Sequence, residues 1–475
     1  MSKSKFSYTS SDKDFILVKE IIKYTKGSSI KPIYGKPIAL FNYVTSEIFE
    51  LEEDDIKYFR NSNESNALKQ LLSDSKLIDN KRYNFDISVE ESEIYVKLTE
   101  GCNFACPGCA TSIDVIPSNK AITLDEETLR LFLKSFVKSS VEKGYKSCHI
   151  KWAGGEPLLA HAYKLLVLGI QFANDELQNE FPDIQISHTI LTNGVYLTED
   201  KAKFFSKYSN IALSVSLWGY DEIQDEMRRP RANQKGSYSI ITNNIKFLHK
   251  YNIKFNINHV IAPGNMKGFA EFLRRFWDIE YDKFVGKEWN RNEFIPVGFY
   301  LYRPLINKSA DMIRYYLSFQ PYLREGFNVV LDLINRGIKT QPIGSFDYLK
   351  ITQSTIRSCG SGMNYIAIGP DGVSDCHEGL YNMKPNLDRV KNGENLFDIA
   401  IDSISHEPFL LSDDIEFRTK SRLLKFHGGQ GCPRVAMDEN NGNVNIASSA
   451  EFLYKNIYNE LLSLEIMKAI QQQKH

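Results

Sequence analysis

The alternation of hydrophobic and polar positions predicts a repeated strand–helix pattern through the middle of the chain. Six runs rich in β-branched and aromatic residues have the length of buried strands, and they cover residues 94–99, 148–153, 184–191, 211–217, 254–261 and 294–301. Between them, residues 125–142 and 237–250 repeat apolar side chains at helical spacing. Thr123 and Glu126 predict a capping box at the start of the first of these helices. Such a repeat predicts right-handed parallel β/α units that close, fully or partly, into a barrel, with the ligand site at the carboxyl ends of the strands.

The segments on either side of this repeat have different patterns. Two β-rich runs at 38–43 and 47–51 predict a hairpin, and two short helices follow it. Late in the chain, a helical stretch at about 312–335 leads into a glycine-rich region. We therefore expect an α/β protein made of an N-terminal module at 1–90, a partial (β/α)6 barrel at 91–305, a helical connector at 306–350 and a C-terminal domain at 351–475.

Composition and charge restrict the class of protein. The chain has 475 residues, 42% hydrophobic and 25% charged, which excludes a disordered or fibrous protein. Its 58 Lys and Arg balance 59 Asp and Glu, so neither nucleic acid nor a membrane is expected as a partner. The start has no apolar signal segment, and no apolar run approaches the roughly 18 residues that cross a bilayer. We expect a soluble, cytoplasmic protein.

The seven cysteines add candidate chemistry, because an odd number without an export signal favours metal binding or reactive thiols. Three of them, Cys102, Cys106 and Cys109, follow the first predicted barrel strand with the spacing C-x-x-x-C-x-x-C. Three thiolates on one loop suit a 4Fe–4S cluster, and the missing fourth cysteine leaves one iron open. A structural zinc site completed by a distant histidine is the alternative.

This spacing after a strand resembles the radical S-adenosylmethionine (SAM) enzymes. In that family the open iron binds the amino and carboxylate groups of SAM, and cleavage of SAM by a cluster electron gives a 5′-deoxyadenosyl radical that abstracts hydrogen from the substrate. The resemblance implies that Cys102, Cys106 and Cys109 are the cluster ligands and that a donor such as flavodoxin or ferredoxin reduces the cluster. Gly108 departs from the family, which usually has an aromatic residue there.

The ends of the next predicted strands carry further residues that match the family. Gly154-Gly155-Glu156 is similar to the motif for the SAM amino group. The fourth strand runs into a stretch similar to Ser-x-Asp-Gly followed by His-Asp-x-x-Arg, although Trp218 replaces the Asp and Gln224 the His. Ordinary turns and a solvated basic loop are the structural alternatives. The resemblance implies SAM contacts from Gly154, Gly155, Glu156, Asn193, Ser214, Ser216 and Arg228.

Three late cysteines form a second candidate metal site. Two strand-like runs joined by Gly-Pro-Asp-Gly predict a hairpin that returns Cys376 to the neighbourhood of Cys359, and Cys432 lies in a glycine-rich loop. This pattern is similar to a reduced, Twitch-like SPASM domain, which implies one auxiliary 4Fe–4S cluster held by Cys359, Cys376 and Cys432. The cysteines of a second auxiliary cluster are missing.

Other assignments of these thiols stay open. Zinc, with His427 or His377 as a fourth ligand, is the competing occupant of the late site, and scattered thiols without a metal are a further alternative. Cys148 alternates with apolar residues on the second predicted strand, which favours a buried structural cysteine.

We interpret the chain as a radical SAM enzyme that modifies a ribosomally made precursor peptide or protein by cross-linking, epimerising or oxidising a side chain. Residues 1–90 resemble the winged-helix module with which such maturases bind a leader peptide by β-augmentation, and a capping domain without a partner is the alternative. No residue stands out as a general acid or base. A radical SAM enzyme acting on a small molecule and a non-catalytic structural metalloprotein are the competing hypotheses.

Overall fold

The structure is a computed structural model, and it describes the greater part of the chain. The described residues are 5–9, 15–26, 29–42, 47–59, 63–75, 82–86, 90–106, 109, 122–231, 236–276, 297–301, 309–338, 362, 364–370, 372–376, 385–403 and 448–473. Every structural statement below refers to these residues.

Two small antiparallel sheets and two helices form the N-terminal part. The elements are β1 (Lys5–Thr9), β2 (Phe15–Tyr24), β3 (Pro32–Asn42), β4 (Glu47–Glu50), α1 (Glu53–Ile56), α2 (Glu64–Asp74) and β5 (Arg82–Asp86). β2, β3 and β4 pair in that order, and β1 pairs with β5. The predicted hairpin is present as β3 and β4, but β3 begins at Pro32 because its first half pairs with β2.

A sheet of eight strands forms the centre of the molecule. Its strands are β6 (Glu91–Lys97), β7 (Ser147–Ala153), β8 (Gln185–Thr192), β9 (Ile211–Ser216), β10 (Lys254–Ile261), β11 (Val297–Leu301), β12 (Tyr365–Gly369) and β13 (Gly372–Ser374). They lie in the order β11-β10-β9-β8-β7-β6-β12-β13. All neighbours from β11 to β12 are parallel, and only β13 runs antiparallel to its neighbour. The predicted α/β class and parallel sheet are confirmed.

Amphipathic helices cover one face of this sheet. They are α3 (Glu126–Glu142), α4 (Ala160–Gln171), α5 (Gln178–Glu180), α6 (Glu199–Phe205), α7 (Asp221–Met227), α8 (Tyr238–Lys250) and α9 (Phe269–Arg274), and one π-helical turn (Phe172–Leu177) joins α4 to α5. The apolar stripe of α3 is buried as its helical spacing predicts. The capping-box prediction was wrong, because Asp125 is the N-cap and its side chain accepts from Thr128 N at 2.8 Å.

Four further helices lie in the C-terminal part: α10 (Ser309–Asn335), α11 (Leu387–Lys391), α12 (Leu396–Ser403) and α13 (Ser448–Gln473). α10 is the helix predicted at about 312–335, and it packs against α9, α13 and β2. The hairpin of β12 and β13 extends the central sheet beyond β6, so the chain after α10 is built into the same sheet as the first barrel strand. Within the described ranges, none of the helices combines the length and apolarity that crossing a membrane requires.

A buried ion pair joins three separate parts of the chain. Arg324 of α10 makes a bidentate contact with the Glu460 carboxylate of α13, with its Nη2 at 2.7 Å from Oε1 and its Nε at 3.2 Å from Oε2. Its Nη1 also donates to Ile30 O, just before β3, at 2.9 Å. The Glu460 side chain is only 3% exposed. Because burial removes both charges from water, the Arg324 and Glu460 side chains each need the opposite charge of the other for their stabilisation.

We predict that Glu460→Gln lowers the free energy of unfolding by about 3–5 kcal/mol, because it leaves the Arg324 guanidinium buried without a counter-charge. Urea unfolding of the purified protein measures this change. The double variant Arg324→Met/Glu460→Met removes both charges together and is expected to stay close to the wild type. Glu180→Gln, which breaks the exposed Lys134–Glu180 pair, is the control and should cost less than about 1 kcal/mol. A loss as small as that of the control would contradict the dependence of the interface on this pair.

Candidate functional site

The first three cysteines lie where the sheet predicts the site, on the loop after the carboxyl end of β6. Cys102, Cys106 and Cys109 are all half-buried. They share this loop, but no three Cys, His, Asp or Glu side chains of the described residues converge closely enough to hold a metal ion. The donor set nevertheless fits an iron–sulfur cluster, since one short loop carries three thiols, the ligands that such clusters use.

The turn after β7 fixes the start of this loop. Gly155 N donates to Thr99 O at 2.7 Å, and Glu156 N donates to Gly101 O at 2.9 Å. A Cβ at Gly155 would overlap the Gly101 carbonyl, and Gly154, with φ of +126°, would bring a Cβ onto Thr99 O. The two glycines are therefore needed for the close approach of two backbone segments, whatever ligand the turn also contacts.

Glu156 is buried, with 1% of its surface exposed, and its carboxylate binds the protein itself. Oε1 accepts from Thr192 Oγ1 at 2.7 Å and from Leu158 N at 3.0 Å, while Oε2 accepts from Asn193 N at 2.7 Å. Burial raises the pKa of Glu156, and the hydrogen bonds from Asn193 and Thr192 oppose that shift. The side chain thus joins the ends of β7 and β8. Its predicted contact with the SAM amino group stays a prediction.

Asn193, at the end of β8, reaches the cysteine loop. Its Nδ2 donates to Asn103 Oδ1 at 2.7 Å and lies 4.0 Å from Cys102 Sγ. Its Oδ1 accepts from Val195 N at 3.0 Å, which fixes the orientation of the amide. Asn193 therefore holds the residue next to the first cysteine, a contact that the turn pattern alone did not reveal.

Arg228 lies against the second cysteine, with 5% of its surface exposed. Its Nε is 3.4 Å from Cys106 Sγ, and its Nη1 donates to the carbonyl of Ser216 at 2.6 Å. Ser214 and Ser216, on β9, lie at the same end of the sheet, and Ser214 is buried. The alternative of a solvated basic loop does not hold for Arg228, although the neighbouring Arg229 is exposed.

Two residues of the stretch after β9, Gln224 and Asp225, have structural roles. Gln224 is fully buried, accepts from Trp218 N at 2.7 Å and donates to Ser237 Oγ at 3.0 Å. Asp225 Oδ1 accepts from the backbone N–H groups of Ser237 and Tyr238 at 2.6 and 2.7 Å, so it caps α8 from outside that helix. The sequence analysis did not predict either role. The only signal in the sequence was a polar residue at a position whose helical spacing predicts burial.

Burial shifts the thiols away from the charged form that binds metal. It raises the pKa of Cys102 to about 12, with the nearby Glu156 charge acting in the same direction. The pKa of Cys106 is raised by burial as well, and Arg228 opposes the shift. Thiolates in this setting need a compensating cation, which cluster iron supplies on ligation.

Of the late candidates, Cys376 alone belongs to the described residues. It follows β13 and is half-buried. Gly362 N donates to Tyr365 O at 2.8 Å and to Asp375 O at 3.2 Å, so it lies beside the residue that precedes Cys376. Asn386 binds both backbone groups of Val373 at 2.8 and 2.7 Å and holds the hairpin in place. Outside the described residues lie Cys359, Cys432, His377 and His427.

Cys148 is fully buried on β7, with its Sγ 3.4 Å from Ser92 Oγ. Ser92 in turn donates to Ser140 Oγ of α3 at 2.8 Å. The prediction of a buried structural cysteine is confirmed.

Comparison with known proteins supports the fold. Residues 96–276 match the Radical SAM superfamily. The chain is 32% identical over 182 residues to the cysteine-type anaerobic sulfatase-maturating enzyme of Clostridium novyi, with 38% of this chain and 46% of that protein covered. It therefore spans about half the length of that relative. It is 25% identical over 354 residues to the serine-type anaerobic sulfatase-maturating enzyme of Klebsiella aerogenes, with 70% and 77% covered.

A solved structure has the same fold. The structure of anSMEcpe with bound AdoMet and the Cp18Cys peptide superposes with a TM-score of 0.55 at 18% identity, and the match covers 80% of this chain and 99% of that one. Cys102, the Gly154–Glu156 turn and Arg228 all lie within the segment of the family match.

We predict that Glu156→Gln destabilises the protein by about 1–3 kcal/mol. Both carboxylate oxygens now accept hydrogen bonds, and the amide N–H₂ of glutamine would face one of these donors and could not accept from it. The same change should weaken SAM binding, since the ends of β7 and β8 lose their common acceptor. Thermal unfolding and equilibrium dialysis with SAM measure the two effects. Glu226→Gln, at an exposed position of α7, is the matched control and should stay within about 0.5 kcal/mol. Equal behaviour of the two variants would refute the role assigned to Glu156.

Proposed function

Because residues 96–276 match the Radical SAM superfamily, we propose that this chain is a radical SAM enzyme that modifies a side chain of a ribosomally made peptide or protein. The observation that carries the proposal is the loop with Cys102, Cys106 and Cys109 at the carboxyl end of the first barrel strand, within the matched segment. When bound, the 4Fe–4S cluster and SAM supply a 5′-deoxyadenosyl radical that abstracts a hydrogen atom. Cross-linking, epimerisation and oxidation are the candidate outcomes for the substrate.

The residues around the cysteine loop suit the binding of SAM. The three thiols are the proposed cluster ligands, and the polar groups at the ends of β8 and β9 surround them. Asn193, Ser214 and Ser216 are the proposed contacts to SAM, together with the backbone of the glycine turn. Glu156 acts on SAM through the loops that it joins, since its carboxylate already accepts three hydrogen bonds. Low-potential electron donors of the flavodoxin or ferredoxin class are the proposed partners for reduction.

A second 4Fe–4S cluster held by Cys359, Cys376 and Cys432 is part of the proposal. Support comes from the predicted hairpin, which is present as β12 and β13 with Cys376 just after it. Further support comes from Gly362, three residues after Cys359 in the chain, whose N–H donates to Asp375 O beside Cys376. Zinc at this second site is the competing assignment.

The relatives support a peptide or protein as the substrate. Two of them are sulfatase-maturating enzymes by name, and the solved structure of the same fold contains a bound peptide. In this chain, β4 has one neighbour, β3, among the described strands, which suits the addition of a peptide strand at its other side. A radical SAM enzyme for a small molecule is the second candidate, and a structural metalloprotein without catalysis is the third.

Counting iron tests the cluster assignments. Anaerobically purified wild-type protein is expected to hold about eight irons and to form 5′-deoxyadenosine from SAM and dithionite. Cys102→Ala should lose about four irons and all SAM cleavage, whereas Cys376→Ala should lose about four irons and keep SAM cleavage. Iron analysis and chromatography of the nucleoside products give the two readouts.

Cys148→Ala is the matched control, because Cys148 is a buried thiol away from both loops, and it should keep all the iron. Bound zinc and no cleavage of SAM in the wild type would overturn the enzyme assignment. Loss of all iron in Cys376→Ala would contradict two separate clusters.

Deuterium transfer tests the substrate class. The first step is to search the DNA next to the gene for a short reading frame. The probe is the peptide that such a frame encodes, labelled with deuterium at its side chains. We expect this peptide to raise the yield of 5′-deoxyadenosine several-fold and to transfer deuterium into it, because abstraction moves the label to the nucleoside. Mass spectrometry of nucleoside and peptide measures the result. A scrambled peptide of the same composition is the control, and equal yields with both would contradict a specific peptide substrate.

A further inference from the structure

Arg228 is a buried cation that forms no ion pair with a carboxylate among the described residues. A buried guanidinium is costly unless an anion or several acceptors compensate its charge. The acceptors that the structure provides are a backbone carbonyl and the sulfur of Cys106. Arg228 also acts on the buried Glu156 carboxylate, since burial raises the pKa of that group and Arg228 lowers it. Its direct hydrogen bond to a group that can carry negative charge is the one with the sulfur of Cys106.

Two aromatic rings fix the plane of the guanidinium. Its central carbon lies 5.1 Å from the ring centroid of Trp218 and 5.4 Å from that of Phe104. Phe104 belongs to the cysteine loop itself, two residues before Cys106, and Trp218 follows β9. A guanidinium held between two rings, with Nη1 bound to Ser216 O at 2.6 Å, presents Nε to the sulfur in a set direction.

The surrounding loop holds this arrangement from both sides. Trp218 N donates to Gln224 Oε1 at 2.7 Å, and Trp218 O accepts from Asn265 Nδ2 at 2.6 Å. The carbonyl of Arg228 accepts from Ser237 Oγ at 2.8 Å. Gln224 and Asn265 are both buried. The backbone of Trp218 is thus held by two buried amide side chains.

We propose that Arg228 is a positioning residue that donates to the ligand sulfur of Cys106 and raises the reduction potential of the SAM-binding cluster. The inference rests on the proposed function. One electron from an external low-potential donor enters the cluster without a proton, so the reduced cluster carries one more negative charge than the oxidised one. A fixed cation and a hydrogen bond at a ligand sulfur stabilise the more negative form.

A redox titration without SAM tests the proposal, because any contact between Arg228 and the SAM carboxylate is then absent. The cluster of Arg228→Gln is titrated with dithionite and followed by its electron paramagnetic resonance signal. We expect the reduction equilibrium of the cluster to shift at least tenfold toward the oxidised form. For one electron, this shift makes the midpoint potential about 59 mV more negative. Arg229→Gln removes the same charge from the exposed neighbouring position and should keep the wild-type potential.

Equal potentials for Arg228→Gln, Arg229→Gln and wild type would overturn the proposal. If Arg228→Gln does not retain its iron, Arg228→Lys replaces it in the titration. A lysine ammonium cannot bind Ser216 O and Cys106 Sγ at the same time in the planar geometry of the guanidinium. Its potential should also be more negative, and a wild-type value would overturn the proposal. Failure of the proposed function looks different, since the wild type itself would then lack a cluster.

Discussion

The close approach of the turn after β7 to the start of the cysteine loop is the constraint on which the candidate site depends. Two parallel neighbours, β6 and β7, end side by side, and the backbone of Gly155 and Glu156 continues their pairing past the end of the sheet. Only glycine at positions 154 and 155 leaves room for this contact. The backbone at the start of the loop that carries Cys102 is therefore held in a defined place beside the turn.

Buried polar groups connect this turn to the ends of the neighbouring strands. Glu156 binds the end of β8, Asn193 binds the cysteine loop, and Arg228 connects the loop to β9. These contacts join the ends of β7, β8 and β9 to the loop after β6. A polar group that is buried and paired holds its partners in register, and loss of one member leaves the others unsatisfied.

Sequence predicted the architecture better than the contacts within the site. The six strands were found because parallel strands buried on one face have a strong apolar pattern, and the cysteines because their spacing is rare by chance. The roles of Glu156 and Gln224 were not accessible, since they depend on partners 36 and 13 residues away in the chain. The sequence analysis missed Asp125 as the N-cap of α3, because Thr123 and Glu126 also have the spacing of a capping box.

The parallel pairing of β12 with β6 decides how the two candidate metal sites are placed. β12 runs with β6 toward the cysteine loop, and the turn before Gly372 reverses the chain, so β13 leads back toward the other end of the sheet. Ser374 lies opposite Ala367, which itself pairs with Tyr95 in the middle of β6. Cys376 follows Ser374, the last residue of β13, by two residues. The hairpin thus separates the Cys376 thiol from the first three cysteines while holding it to the same sheet.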